Sequence, residues 1–134
     1  MSEATVHEGG CLCGAVRYRA EGSPLVVEYC HCGMCRKASG APVVVWAYLP
    51  AAKVVFTRGE PTRYRSSKKA VRGFCDRCGT PLTSAYVSGS DILYLTVASF
   101  DRPETVRPER HAWTSSRLPW LEIADDLPRS PHDC

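Results

Sequence analysis

The sequence YCHCGMC, residues 29–35, places three cysteines within six consecutive positions. They are Cys30, Cys32 and Cys35, so a CxC motif overlaps a CxxC motif. A structural zinc site normally has four protein ligands and a disulfide joins two cysteines, so three thiols match neither arrangement. Either a fourth ligand comes from elsewhere in the chain, or the fourth position is left open.

Four more cysteines form two short motifs outside this segment. In the CLC motif, Cys11 and Cys13 share one face of an extended strand, so their sulfurs lie side by side. In the CDRC motif, a tight turn brings Cys75 and Cys78 together, and Gly79 follows where a positive φ is often needed. We interpret each motif as half of a four-thiolate structural zinc site.

On this interpretation, Cys30, Cys32 and Cys35 bind a second zinc and leave its fourth coordination position open, as catalytic zinc sites do. Two alternatives stay open. The 32/35 pair and the 75/78 pair could form a zinc ribbon, or either pair could be a redox dithiol, although no βαβ context is evident. The four-plus-three arrangement is favoured because it uses every cysteine except Cys134.

Composition limits the other classes of function. The 134 residues are 44% hydrophobic, which suits a single domain, expected over 1–134 with its core at about 8–128. There is no apolar run of about 18 residues and the first ten residues do not resemble a secretory signal, so we expect a cytoplasmic protein without membrane contact. The net charge of +3 is modest, and aromatic residues do not alternate with basic ones, so nucleic acid is not an expected partner.

Short apolar segments separated by Gly and Pro predict a mainly β fold with little helix. Val16 and Tyr18 alternate with arginines, which predicts a half-buried strand, and the runs at 42–49 and 91–100 predict buried strands. After Cys35 only a short helical turn is expected, because Gly40 and a proline end it. We expect residues 1–9 to be irregular and the proline-rich segment after residue 101 to wrap the surface. That segment would pack through Trp113, Trp120 and Leu121.

Five segments together resemble one known family. They are GGCLCGAVRY (9–18), YCHCGMCRKASGA (29–41), GEPTRYRSS (59–67), RGFCDRCGTPL (72–82) and RPERHAWTSSRLPWLEIADDLP (107–128). The chain is similar over about 8–128 to the glutathione-dependent formaldehyde-activating enzyme family, which also includes centromere protein V. The resemblance implies a β-tent fold, a complex β-sandwich of several coiled sheets of short antiparallel strands.

The resemblance also implies two zinc ions and an activity. Cys11, Cys13, Cys75 and Cys78 match the family's structural zinc ligands, and the three cysteines of residues 30–35 match its catalytic zinc ligands. The implied reaction condenses formaldehyde with glutathione to S-hydroxymethylglutathione, a carbon–sulfur lyase reaction run in reverse. The implied partners are therefore a small-molecule thiol such as glutathione and a small aldehyde. The alternative function is a non-catalytic zinc-binding or thiol-carrier module.

Several other residues are candidates for roles near the trio. His31 faces away from its neighbouring cysteines in an extended chain, so we expect it beside the metal site or in solvent rather than as a ligand. His111 is expected at the surface. Basic and hydroxyl side chains could bind the carboxylates of an acidic thiol, and two further cations could offset thiolate charge. The first set is Ser66, Ser67, Lys68 and Arg72, and the second is Arg36 and Lys37.

Overall fold

The computed structural model describes residues 5–88 and 91–132 and confirms a mainly β fold. Within these residues there are ten short strands, one α-helix of seven residues and four 3-10 turns. The helix, α1, is Gly33–Ser39, and the turns are Ala51–Lys53, Val97–Ser99, Pro103–Thr105 and Thr114–Ser116. The strands are β1 (Val6–Gly10), β2 (Arg17–Glu21), β3 (Val26–Cys30), β4 (Val44–Pro50), β5 (Val54–Arg58), β6 (Thr62–Arg65), β7 (Ala70–Phe74), β8 (Pro81–Tyr86), β9 (Ile92–Thr96) and β10 (Arg110–Ala112).

The strands form two sheets. The small sheet has the order β1-β2-β5, and the large sheet has the order β10-β3-β4-β9-β8-β7-β6. Neighbouring strands are antiparallel, as expected, except that β10 runs parallel to β3 with His111 opposite Tyr29. A parallel neighbour requires a long connection between the two strands, and here the whole middle of the chain lies between β3 and β10.

Strand β1 contradicts the expectation that residues 1–9 are irregular. It pairs with β2, and its inward positions are His7 and Gly9. His7 is buried and stacks on Phe100, with ring centroids 5.1 Å apart. The alternation could not be seen in the sequence because neither inward residue is a typical apolar side chain. Residues 1–4 lie outside the described part of the chain.

Two apolar clusters form the interior. The larger includes Tyr18, Leu49, Leu82 and Leu95, all almost completely buried. The smaller surrounds the cysteine trio and includes Val44, Trp46 and Tyr48. Tyr18 lies on β2, where the alternation from Val16 predicted a strand, and the predicted strands at 42–49 and 91–100, observed as β4 and β9, supply the others except Leu82, which lies on β8.

The helix and the C-terminal segment follow the sequence in part. Helix α1 ends where predicted, with Gly40 in the left-handed region at φ 71°. Trp113 packs against the smaller cluster as expected, but Trp120 is 71% exposed, so its predicted packing role is wrong. Among the described residues, no helix has both the length and the hydropathy needed to cross a membrane.

Candidate metal centres and active site

The first cysteine cluster joins the loop after β1 to the turn between β7 and β8. The sulfur atoms of Cys11, Cys13, Cys75 and Cys78 all lie within 4.8 Å of one another. Sγ of Cys13 lies 3.7 Å from Sγ of Cys11 and 3.8 Å from Sγ of Cys75. A tetrahedral zinc with bonds of about 2.3 Å to sulfur holds its ligands about 3.8 Å apart. The sulfurs therefore have the spacing that a zinc–thiolate site requires.

Local hydrogen bonds favour the thiolate form at Cys11 and Cys78, whereas burial and the neighbouring thiols raise the pKa of Cys13 to about 11. The backbone N–H of Val16 donates to Sγ of Cys11 at 3.2 Å. The Thr80 hydroxyl lies 3.2 Å from Sγ of Cys78 and lowers the pKa of that thiol to about 5. A thiol with such a pKa is mostly thiolate at neutral pH, which is the form that binds a metal.

The CDRC turn has the geometry that its spacing predicted. The N–H of Gly79 donates to the carbonyl of Cys75 at 2.8 Å and closes the turn. Gly79 has φ of 80°, a conformation that glycine adopts without the steric cost of a side chain. The turn thereby directs both sulfurs of the motif to one side.

The second cluster is the trio of YCHCGMC. Cys30 ends β3, Cys32 is the N-cap of α1, and Cys35 lies in the first turn of that helix. Their sulfurs all lie within 4.8 Å of one another, and Sγ of Cys32 accepts the backbone N–H of Cys35 at 3.2 Å. The Cys30 and Cys35 sulfurs are 3.3 Å apart, about 0.5 Å closer than in a tetrahedral zinc site. These two sulfurs must therefore move slightly apart when a metal binds. Three converging thiols are a donor set that suits zinc.

The grouping of cysteines excludes one of the alternatives. Cys32 and Cys35 assemble with Cys30, whereas Cys75 and Cys78 assemble with the CLC motif. A zinc ribbon built from the two CxxC motifs is therefore not formed in this fold. The remaining cysteine, Cys134, lies outside the described residues.

Two side chains donate N–H groups to the Cys35 sulfur. Nε1 of Trp46, on β4, lies 3.4 Å from Sγ, and Nη2 of Arg72, on β7, lies 3.5 Å away. The Arg72 guanidinium also lies over the Trp46 ring at 5.9 Å from its centroid. Both contacts stabilise negative charge on this sulfur. Trp46 was not identified from the sequence, since a tryptophan in an apolar strand is indistinguishable from an ordinary core residue.

Arg36 makes a contact that the sequence did not predict. Its guanidinium donates to the backbone carbonyls of His31 and Ser116. It therefore ties the C-terminal segment to the loop of the trio. Its position in the sequence, directly after Cys35, gave no indication of this contact, because the partner is 80 residues away.

Two cavities meet at the trio. One, of about 530 Å³, extends towards β6 and β7, and the other, of about 340 Å³, extends towards β9 and the C-terminal segment. Cys35, Met34, Trp46 and Arg72 line both cavities, and Cys32 lines the smaller one. Volumes of this size are typical of small-molecule sites. A small ligand in either cavity can therefore reach the trio through Cys35, and in the smaller cavity also through Cys32.

A buried carboxylate in the smaller cavity was missed by the sequence reasoning. Glu28 is 0% exposed, and its side chain accepts hydrogen bonds from the Tyr48 hydroxyl and, at 2.7 Å, from Nε of Arg110. Such a carboxylate is stable in the interior because it is both paired and hydrogen-bonded. The sequence offered one signal, since Glu28 is the charged residue in the apolar strand VVEYC of β3.

His31 and His111 form a buried chain with Asp125. Nε2 of His31 lies 2.9 Å from Nδ1 of His111, and Nε2 of His111 lies 2.9 Å from a carboxylate oxygen of Asp125. The two histidines are 0% and 2% exposed, so the predicted surface position of His111 is wrong, and so is a solvent-facing His31. As expected, the three-cysteine cluster assembles without His31.

The protonation of this chain follows from its partners. The Asp125 carboxylate accepts a hydrogen bond from Nε2 of His111, so this nitrogen carries a hydrogen. Burial, together with the nearby charge of His111, lowers the pKa of His31 to about 4. His31 is therefore neutral at physiological pH.

The remaining residues that were predicted to bind carboxylates or to offset thiolate charge divide into those that line a cavity and one that does not. Lys37 and Ser66 line the larger cavity, and Ser67 lines the smaller one. Lys68 lines neither cavity, and its carbonyl accepts from Nη2 of Arg65 at 2.9 Å. Arg72 is the cation that reaches the trio.

Comparison with known proteins identifies a family whose sequence model matches most of the chain. The sequence model of the family described as "Glutathione-dependent formaldehyde-activating enzyme" matches residues 6–116. A protein of Schizosaccharomyces pombe named as an uncharacterized lyase is 32% identical over 101 residues, which are 75% of this chain and 72% of that protein. A Halomonas elongata protein with a provisional name as a glutathione-dependent formaldehyde-activating enzyme is 28% identical over 125 residues, covering 87% and 80% of the two chains.

A solved structure has the same fold. The crystal structure of a Rhodobacter sphaeroides protein, a structural genomics target, aligns with a TM-score of 0.59 and 26% sequence identity. The alignment covers 75% of this chain and 91% of that protein. The arrangement of sheets described above is therefore shared with an experimentally determined protein.

Proposed function

Because the chain belongs to the glutathione-dependent formaldehyde-activating enzyme family, we propose that it is a zinc-dependent carbon–sulfur lyase acting on a thiol adduct of formaldehyde. In the direction of synthesis, the thiol sulfur bonds to the formaldehyde carbon, the thiol loses its proton, and the carbonyl oxygen gains one. Glutathione is the proposed thiol, giving S-hydroxymethylglutathione. The names of the two relatives, a lyase and a formaldehyde-activating enzyme, support this class of reaction.

One observation carries the proposal: the three sulfurs of Cys30, Cys32 and Cys35 converge beside two cavities, separately from a complete set of four sulfurs. We assign zinc to both sets. The four-thiolate set would be structural, because all four positions of a tetrahedral ion are filled by the protein. The trio would hold its zinc with one position available to a ligand from the cavity. Such an ion lowers the pKa of a bound thiol and polarises a carbonyl.

The protein's own residues prepare this site for sulfur chemistry. Trp46 and Arg72 donate N–H groups to the Cys35 sulfur, which offsets part of the negative charge that three thiolates bring together. The cavity walls hold the thiol and the aldehyde close together, and such proximity can account for much of a rate enhancement in a bimolecular reaction. Tyr48, whose hydroxyl donates to the buried Glu28, also lines the smaller cavity.

The redox state of the cysteines indicates the cellular compartment. Both proposed zinc sites bind the metal through reduced, deprotonated cysteines. Such sites persist in a reducing compartment. We therefore propose a cytoplasmic location.

The test must measure a rate, because formaldehyde adds to thiols without a catalyst. We would measure exchange of ¹³C-formaldehyde between its hydrate and the glutathione adduct by NMR, with and without the zinc-loaded protein. Acceleration at catalytic protein concentration is the expected result. If the protein binds the thiol without accelerating exchange, it is a thiol carrier and the lyase proposal fails.

Two cysteine variants assign the roles of the clusters. Cys32→Ser should abolish the acceleration while the far-UV circular dichroism stays native, because the trio is not needed for folding. Cys75→Ser should lose a zinc ion and unfold, since a structural zinc contributes its binding energy to folding. A Cys32→Ser protein with full activity and full metal content would contradict the catalytic assignment.

A further inference from the structure

Arg72 occupies a position that its contact with Cys35 does not fully explain. It lies on β7 and lines both of the cavities that meet at the trio. Nη2 donates to Sγ of Cys35, whereas Nε is buried and has no hydrogen-bond partner among the described residues. A buried donor without a partner costs free energy unless a ligand or water satisfies it.

The charges around the two cavities favour an anion at this donor. Among the described residues that line them, Lys37 and Arg72 are the cations and Glu28 is the single acid. The Glu28 carboxylate is already neutralised by Arg110, with Nε of Arg110 at 2.7 Å from its oxygen. Apart from the sulfurs of the trio, the lining therefore presents a net positive charge to a ligand, with Arg72 next to the trio.

The guanidinium is also held in place before any ligand arrives. It lies over the Trp46 ring, 5.9 Å from the centroid, and Trp46 itself donates to the same Cys35 sulfur. Fixing the planar guanidinium reduces the entropy lost when a planar carboxylate binds to it. Lysine has no equivalent fork of donors, so the geometry is specific to arginine.

From these contacts we propose that Arg72 binds a carboxylate of the thiol substrate, so that the site selects acidic thiols over neutral ones. The inference rests on the proposed function, since it assumes that a substrate sulfur enters the trio. Because Nη2 is only 3.5 Å from Sγ of Cys35, a ligand sulfur at the trio and a carboxylate at Arg72 are separated by a few bonds. The substrate class is then a thiol with a nearby carboxylate, either a short mercapto acid or a cysteine-containing peptide.

The test compares two thiols that differ in this group alone. Binding of 3-mercaptopropionate and of 3-mercapto-1-propanol to the zinc-loaded protein would be measured by titration calorimetry. We expect the acid to bind about 10-fold to 100-fold more tightly than the alcohol, the range that a charge-assisted hydrogen bond provides. Equal affinity of the wild-type protein for both thiols overturns the inference without any variant.

Variants of Arg72 then test whether the preference for the acidic thiol depends on this residue. Arg72→Gln should remove most of the preference for the acid, and Arg72→Lys should restore part of it, because the charge returns without the fork. Arg63→Gln is the matched control, since Arg63 is exposed on β6 and lines neither cavity. If Arg72→Gln weakens binding of the acid and the alcohol equally, Arg72 acts on the Cys35 sulfur alone and the inference is wrong.

The same experiments separate this inference from the lyase proposal. An Arg72-dependent preference for the acid, with no acceleration of formaldehyde exchange, supports the carboxylate site and contradicts the lyase. Acceleration of exchange without any preference for the acid supports the lyase and contradicts the carboxylate site. The zinc content of each variant shows whether a lost preference for the acid results from loss of the metal. If Arg72→Gln loses zinc, the comparison rests on Arg72→Lys with full zinc, which should keep part of the preference.

Discussion

Cys35 is the residue at which the local chemistry of the site converges. Its sulfur lies 3.3 Å from that of Cys30 and receives N–H groups from a tryptophan and an arginine on two other strands. Three thiolates around one divalent ion leave a net charge near −1, so donors to the sulfur reduce the repulsion among them. Groups that contact metal ligands in this way commonly change metal affinity by about 10-fold to 100-fold.

We therefore predict that Trp46→Phe weakens zinc binding at the trio by about 10-fold. Phenylalanine keeps most of the ring that packs in the smaller cluster but cannot donate to Sγ of Cys35. Competition with a chromophoric chelator would measure the affinity. Trp120→Phe is the control because Trp120 is 71% exposed, and equal zinc affinity in the two variants would show that the N–H donor has no effect.

At the scale of elements, β10 and the segment after it support the loop that carries the trio. β10 pairs in parallel with β3, and the N–H of His31 donates to the carbonyl of Ala112 at 3.0 Å. Residues 128–132 pair in turn with β10, through Ser130 N–H to His111 O at 2.9 Å. The histidine–histidine–aspartate chain connects these layers through their side chains. The C-terminal segment is thus part of the site's framework.

Replacing Asp125 tests this support. Asp125→Asn removes the charge that accepts from His111, so Nε2 of His111 loses its charged partner and the urea midpoint of unfolding should fall. Far-UV circular dichroism or tryptophan fluorescence would report unfolding. Asp126→Asn is the matched control because Asp126 is exposed, and its midpoint should equal that of the wild type. Equal midpoints for both variants would show that the chain contributes nothing to stability.

At the scale of the whole molecule, the four-thiolate cluster connects the two sheets. The CLC motif follows β1 of the small sheet, whereas the CDRC motif joins β7 and β8 of the large sheet. A metal held there cross-links segments more than 60 residues apart in sequence, and its binding energy stabilises the folded state. The trio, by contrast, lies within six consecutive residues from the end of β3 into α1, so a metal bound there cross-links no distant segments.

Zinc removal should therefore occur in two steps. With a strong chelator, we expect one zinc to leave while the thermal unfolding midpoint stays close to its initial value, because only the three-ligand site is emptied. Loss of the second zinc should coincide with loss of the native far-UV spectrum. Metal release measured together with circular dichroism checks the order. Unfolding on release of the first zinc would contradict the assignment of that zinc to the trio. The control is Cys32→Ser, which should hold one zinc and show only the release that is accompanied by unfolding.

The cysteine clusters and the mainly β architecture could be predicted because they depend on short-range properties of the chain. A CxC or CxxC spacing brings two sulfurs together wherever the segment lies, and the apolar alternation of β2 or the apolar run of β4 identifies a strand before its partner is known. Strand β1 was missed for the same reason, because a buried histidine and a glycine carry no apolar signal at its inward positions.

The sequence by itself therefore determined the two half-sites of the structural cluster, the trio and the class of fold. Only the tertiary structure decided that CLC assembles with CDRC, that Trp46 and Arg72 reach Cys35, and that His111 is buried against His31. These contacts join residues from 11 to 80 positions apart. Their formation depends on strand order and on which side chains share a cavity, which are properties of the whole packed chain and not of any local spacing.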